Sequence, residues 1–142
     1  MFIGEYKHSL DEKGRVIVPV KYRDKLGDLF ILTKGLDDCL FIYTLSEWSL
    51  FEQKLKALPL TNTNARKFVR FFLSGATECT TDKQGRILIP NHLRVYSEIE
   101  KDIVFIGMSN RIEVWSSHKW ASYNEESCDA SLLAEQMEEL GI

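Results

Sequence analysis

The run Asp11-Glu12-Lys13-Gly14-Arg15-Val16-Ile17-Val18-Pro19 recurs 71 positions later as Asp82-Lys83-Gln84-Gly85-Arg86-Ile87-Leu88-Ile89-Pro90. No other feature restricts the fold as much, because one supersecondary unit must be used twice. At the same offset Gly4 matches Gly75 and Arg23 matches Arg94. Further on the offset becomes 72, laying Leu40-Phe41-Ile42-Tyr43 over Ile112-Glu113-Val114-Trp115 and Trp48 over Trp120. A unit that occurs only twice at this period is no solenoid, which stacks three or more short repeats. It reads as a pseudo-dimer within one chain.

Each copy has a local reading. Residues 4–10 and 75–81 are extended runs leading into an Asp-x-x-Gly turn, the type I pattern that closes a hairpin. Val16-Ile17-Val18 and Ile87-Leu88-Ile89 are apolar at every position, which predicts buried strands. Pro19 and Pro90 end those strands and pre-set the backbone for a helix, predicted at Val20–Leu26 and Asn91–Tyr96. Third strands follow at Leu29–Leu32 and Ile103–Ile106, and fourth strands at Leu40–Tyr43 and Ile112–Trp115. One copy of roughly 45 residues is near the lower limit for an independent core, so the two must pack together.

Outside the repeated strands, Thr44-x-x-Glu47 is a capping box opening a helix whose Trp48, Phe51, Leu55 and Leu58 form one stripe, stopped at Pro59. A second helix, about Asn64–Leu73, carries Arg66, Lys67 and Arg70, which read first as a solvated face. A third, about Ala130–Leu140, sets Leu133, Met137 and Leu140 against Glu135, Glu138 and Glu139. The expected class is therefore β-rich α+β, divided into a first repeat over 4–47, a helical connector over 48–74, a second repeat over 75–119 and an acidic helical tail over 120–142.

Net charge is −3, but it is unevenly placed. Residues 1–70 hold 12 Lys/Arg against 9 Asp/Glu, residues 71–120 hold 6 against 6, and residues 121–142 hold 6 acidic groups and no Lys or Arg. The first copy is the basic one, which marks an interaction surface. No apolar run approaches the roughly 18 residues of a membrane span, and Met1-Phe2-Ile3-Gly4-Glu5 has no signal-peptide pattern, so a cytosolic chain is expected. Cys39, Cys79 and Cys128 lack Cys-x-x-Cys spacing and read as reduced thiols.

Catalytic signatures are missing. There is no phosphate loop, no Gly-x-Gly-x-x-Gly and no Gly-x-Ser-x-Gly. His8, His92 and His118 have no metal-ligand spacing, and a site shared by His8 and Cys79 would lack two ligands. Asp11 and Asp82 on solvated hairpin tips are poorly placed for the raised pKa that a proton-sharing carboxylate pair needs. No enzyme, metal or cofactor is expected.

Gly14-Arg15-Val16-Ile17-Val18-Pro19 with Arg23 resembles the Gly-Arg/Gln-Val-x-Ile-Pro-x-x-x-Arg signature of the SpoVT-AbrB (AbrB-like) DNA-binding family. Two tandem copies, the opening Met-Phe-Ile-Gly-Glu-Tyr and the segment Phe71-Phe72-Leu73-Ser74-Gly75-Ala76 between them resemble the MraZ family of bacterial regulators. The resemblance covers about residues 1–120. It implies a double-split β-barrel of swapped hairpins, assembled into a ring-shaped homo-oligomer in the cytoplasm and nucleoid. It further implies binding to repeated operator sites in double-stranded DNA upstream of the chain's own division and cell-wall operon, with repression as the outcome. The Asp-x-x-x-Arg motifs of the family face DNA, and they carry over to Asp11 with Arg15 and to Asp82 with Arg86.

The expected DNA-binding residues are thus Lys7, Lys13, Arg15, Lys83 and Arg86, supported by Asp11, Asp82, Gly14, Gly85, Pro19 and Pro90. The second copy departs in charge: Lys7, Lys13 and Lys21 correspond to Glu78, Gln84 and His92. Two readings of Arg15 and Arg86 stand side by side: a guanidinium fork on a phosphate or guanine edge, or a bridge back to the Asp of its own turn. Arg23 and Arg94 read as structural. The rival function is a protein-interaction scaffold that does not touch DNA directly. RNA binding fits less well, because the aromatics read as buried rather than as stacking platforms.

Overall fold

The computed structural model describes residues 1–142. The first half runs β1 (Glu5–Ser9), β2 (Arg15–Ile17), α1 (Val20–Leu26), β3 (Phe30–Lys34), β4 (Leu40–Thr44), α2 (Leu45–Lys56) and α3 (Thr63–Gly75). The second half runs β5 (Thr77–Cys79), β6 (Arg86–Leu88), α4 (Asn91–Ser97), β7 (Asp102–Gly107), β8 (Ile112–Ser116), α5 (Ser117–Ser127) and α6 (Ala130–Glu139). The fold is α+β with antiparallel pairing throughout.

A six-stranded sheet has the order β1-β7-β8-β4-β3-β5, and β2 pairs with β6 in a separate two-stranded ribbon. Exchanging each strand for its counterpart in the other half reverses this order onto itself. The relation is exchange, not stacking: β1 pairs with β7 of the second half, and β5 with β3 of the first. Val16 lies opposite Ile87 in the ribbon and Phe41 opposite Glu113 in the sheet, so each central pair joins equivalent residues. His8 faces Ile103 where Cys79 faces Phe30, which puts those positions on opposite outer strands.

The sequence leads one to expect β1 and β2 to close a hairpin. The turn forms, with Gly14 N–H donating to the Asp11 carbonyl at 3.1 Å and Asp11 N–H to the Arg15 carbonyl at 2.8 Å. The strands then part, because each finds its ladder in the other half. Two bonds reciprocate across the ribbon: Val18 N–H to the Gly85 carbonyl at 2.9 Å and Ile89 N–H to the Gly14 carbonyl at 3.0 Å.

The four inner strands of the large sheet, β7, β8, β4 and β3, are covered on both faces, which is why they read as largely apolar runs, whereas the edge strand β1 alternates between exposed and half-buried. Leu40 and Ile42 join Phe30, Leu32, Phe105 and Val114 in one core, closed by the ribbon, α1 and α4. Phe41, Tyr43 and Trp115 point the other way into an aromatic layer beneath α2, α3 and α5. Thr44 caps α2 by accepting from the Glu47 N–H, as the capping box predicts. The α5 helix is absent from the sequence reading of individual elements; its Ser116 cap accepts from the Lys119 N–H. Every residue from Cys128 to Ile142 is exposed. No helix is long and apolar enough to cross a membrane.

Candidate nucleic-acid interface

Each hairpin tip is built around one carboxylate. Asp11 Oδ1 accepts from the backbone N–H groups of Lys13 and Arg15, both at 2.9 Å, and its Oδ2 accepts from Arg15 Nε at 3.1 Å. Asp82 repeats the pattern with the N–H groups of Gln84 and Arg86 at 2.9 Å and with Arg86 Nε at 2.9 Å. The Arg15 backbone N–H, then those of Lys13 and the Arg15 side chain, hold the Asp11 carboxyl below its usual pKa; Arg86 and Gln84 do the same for Asp82. A proton-sharing pair would need the opposite shift. These carboxylates are anionic scaffolds for the arginines.

Both arginine readings therefore meet in one geometry. The bridge back to Asp exists, yet Arg15 spends only Nε on it, leaving the terminal N–H groups of its fork unused. Arg86 also reaches across the ribbon, its Nη1 lying 3.5 Å from Asp11 Oδ2. The two tips are thus tied to each other as well as to themselves. Glycine is required at both, because φ is +80° at Gly14 and +77° at Gly85.

The ribbon corrects one expectation. Val16, Val18, Ile87 and Ile89 are buried, but Ile17 and Leu88 are exposed, at 43% and 54% of their maximum. Strand alternation puts Arg15 and Ile17 on one face, with Arg86 and Leu88 on that face of the partner strand. In register, Arg15 lies opposite Leu88 and Ile17 opposite Arg86. The outer face of the ribbon is a diagonal of two arginines crossed by a diagonal of two aliphatic side chains. The sequence reading took β2 and β6 as apolar on both faces and so missed Ile17 and Leu88; three-residue strands give too short a pattern to distinguish the two.

Arg23 and Arg94 also arrive at the tips, each from the opposite half. A Cβ added to Gly14 would stand 2.9 Å from Cζ of Arg94, and one added to Gly85 would strike the Arg23 guanidinium. Both arginines have a buried Nε without a hydrogen-bond partner, and neither joins any of the chain's ion pairs. Four guanidinium groups therefore gather around two glycine turns. Burial, then the Arg23 charge, push the His8 imidazole below its usual pKa.

Lys13 and Lys83 are exposed on the two turns beside these groups. Lys7 stands apart, exposed on β1 opposite Val104, in a side groove with Asp102 and Trp120. Pro19 and Pro90 act as the caps of α1 and α4; the Pro19 carbonyl accepts from Tyr22 and Arg23, and the Pro90 carbonyl from Leu93 and Arg94. Burial raises the Cys79 thiol to about 11 and the Cys39 thiol further, so neither is a nucleophile near neutral pH.

Comparison with known proteins agrees with this construction. The family model for the MraZ protein, described as antitoxin-like, matches twice, over residues 1–71 and 72–141. A protein named transcriptional regulator MraZ from Clostridium acetobutylicum is 61% identical over 142 residues, covering 100% of both chains. Proteins of the same name from Alkaliphilus metalliredigens and Caldanaerobacter subterraneus are 59% and 56% identical, again over 100% of each chain. These relatives are named as regulators, in line with the expectation of no enzyme. With two matches that together span residues 1–141 and full-length relatives near 60% identity, the chain belongs to the MraZ family.

Proposed function

We propose that this chain is a sequence-specific DNA-binding transcriptional regulator that reads duplex DNA with the β2–β6 ribbon and its two tips. The carrying observation is the uncovered outer face of the ribbon, where Arg15 and Arg86 are pre-oriented by Asp11 and Asp82 while fork N–H groups remain free. A two-stranded ribbon fits the major groove, about 12 Å wide, and an arginine fork matches guanine or phosphate. Ile17 and Leu88 add apolar contact for thymine methyl groups. Lys13 and Lys83 reach phosphates on either side, and the charge asymmetry between the halves lies in Gln84 standing at the position equivalent to Lys13.

In this reading the fold is a double-split β-barrel of two internal repeats, 4–47 and 75–119, joined by the connector 48–74 and followed by the tail 120–142. The chain works in the cytoplasm at the nucleoid as a ring-shaped homo-oligomer and represses its own division and cell-wall operon through repeated operator sites. A ring suits a subunit of net charge −3, because many weak contacts along one DNA segment multiply affinity by roughly 10²–10⁴ when they engage together.

The test is duplex binding to the region upstream of the chain's own operon, followed by fluorescence anisotropy. Arg15→Ala should weaken binding by about 1–3 kcal/mol per engaged subunit, and log affinity should fall with log salt by about 0.9 per neutralised phosphate. Unchanged binding by a folded Arg15→Ala, Arg86→Ala double variant would sink the reading, and no duplex binding by the wild type would favour the scaffold instead.

A further inference from the structure

The tail helix is amphipathic and has no buried residue. In α6 the stripe Ala130, Leu133, Met137 and Leu140 recurs at the helical period, yet all of it faces solvent. Its other sides carry Glu135, Glu138 and Glu139, with no Lys or Arg from Ala121 onward. A helix of ten residues with this stripe is too short to be stable by propensity alone and needs a packing surface.

The first half offers a matching surface that nothing covers. Beside α2 lies an open groove of about 850 Å³ whose apolar wall includes Leu36, Leu50, Phe51 and Ala57. Leu50 and Leu36 are exposed at 54% and 58%. Lys54, Arg111 and Glu47 line the same groove, and Arg111 Nη2 lies 3.7 Å from Glu113 Oε2, which leaves Lys54 as the groove's cation with no ion pair. The Arg111 guanidinium lies on the Phe41 ring at 4.5 Å, and its Nε is buried with no hydrogen-bond partner. The groove is thus apolar with one unpaired cation, Lys54, at its margin, and the helix is apolar with acidic groups beside its stripe.

We infer that α6 of one copy docks by its apolar stripe in the α2 groove of a second copy, with Glu138 near Lys54. This rests on the homo-oligomeric reading above and supplies it with a contact. Only two residues separate α5 from α6, so the tail leaves from the end of the second half, while the groove is built mostly from the first half, with Asn110 and Arg111 from the second. Two different patches joined copy to copy make a heterologous contact, the kind that repeats until a ring closes.

The inference is tested with the full chain in a Cys128→Ser background, since Cys39 and Cys79 are buried. One tagged chain carries Leu50→Cys and a differently tagged chain carries Met137→Cys. On mixing under mild oxidation, a disulfide between the two tagged chains is expected. Separately, Lys54→Glu should raise the concentration at which the wild-type mass assembles by roughly tenfold, and adding Glu138→Lys should restore it. No mixed disulfide, or one formed only when a single chain carries both cysteines, overturns the inference. If the wild type assembles without that disulfide, the ring stands and only this contact falls. If the wild type is monomeric at every concentration, both fall, while duplex binding by the ribbon is still judged by Arg15→Ala.

Discussion

Asp11 uses one carboxylate to accept two backbone N–H groups, fix the Arg15 fork and receive Arg86 from the other half. All of these interactions favour the charged form, so the folded-state pKa lies below the ordinary 3.8. The sign follows: a depressed carboxyl contributes fully above its unfolded value and loses that contribution as pH falls through the folded one. Acidification below the ordinary carboxylate range should therefore release the Lys13, Arg15, Gln84 and Arg86 amides together. Amide proton shifts in a titration would show this, and unchanged shifts while carboxyls elsewhere protonate would contradict it. Gly14→Ala offers a second check, because φ of +80° strains any side chain and the new Cβ displaces Arg94. A loss of about 1–3 kcal/mol in urea unfolding is expected, with weaker duplex binding than stability alone explains. The Asp-x-x-Gly-Arg turn was legible because it is local. The placing of Arg94 on Gly14 was not, since it depends on how the halves cross.

At the scale of elements, local chemistry announced most boundaries: Pro19 and Pro90 before α1 and α4, and Thr44 before α2. The α5 helix was legible in principle. Shifting α2 by the offset of 72 gives 117–128, against an observed Ser117–Ser127, although Trp120 and Tyr123 alone make too thin a stripe to recognise. The expected strand at 75–81 shortens to Thr77–Cys79 because α3 runs on to Gly75. Its last turn is held by a group no sequence pattern reveals: buried Thr33 donates its hydroxyl to the Phe72 carbonyl at 2.7 Å. That bond fastens the helix carrying Phe72 to β3, where Phe72 meets Phe51 edge-on at 5.0 Å. Thr33→Val keeps the shape but removes the hydroxyl donor. A loss of about 1–3 kcal/mol is expected, with faster hydrogen exchange in α3 than in the ribbon. Equal acceleration everywhere would mean that Thr33 supports the whole core instead.

At the scale of the molecule, the duplication in the sequence specifies equivalence but not partnership. Two repeats can fold side by side, each closing its own hairpin, or exchange strands. Exchange was expected only from the family resemblance, because nothing in residues 4–47 alone names the second half as the ladder for β1. The structure makes the dependence complete: β1 needs β7, β5 needs β3, and the ribbon needs one strand from each half. The buried core follows the same rule, with Val16, Val18, Ile87 and Ile89 interlocked in one cluster. Neither half can therefore bury its apolar surface as a monomer, and unfolding of the intact chain should be a single cooperative transition. Fragments 1–74 and 75–142, expressed apart, should be unfolded or paired with copies of themselves, since the exchange symmetry lets one half stand in for the other. Mixing them should give a one-to-one complex with the circular dichroism of the intact chain. The concentration at its midpoint would measure what the covalent link at residues 74–75 contributes by keeping the halves together. A fragment 1–74 that is monomeric and unfolds with the midpoint of the whole chain would refute the exchanged architecture, and with it the shared ribbon on which the proposed DNA contact depends.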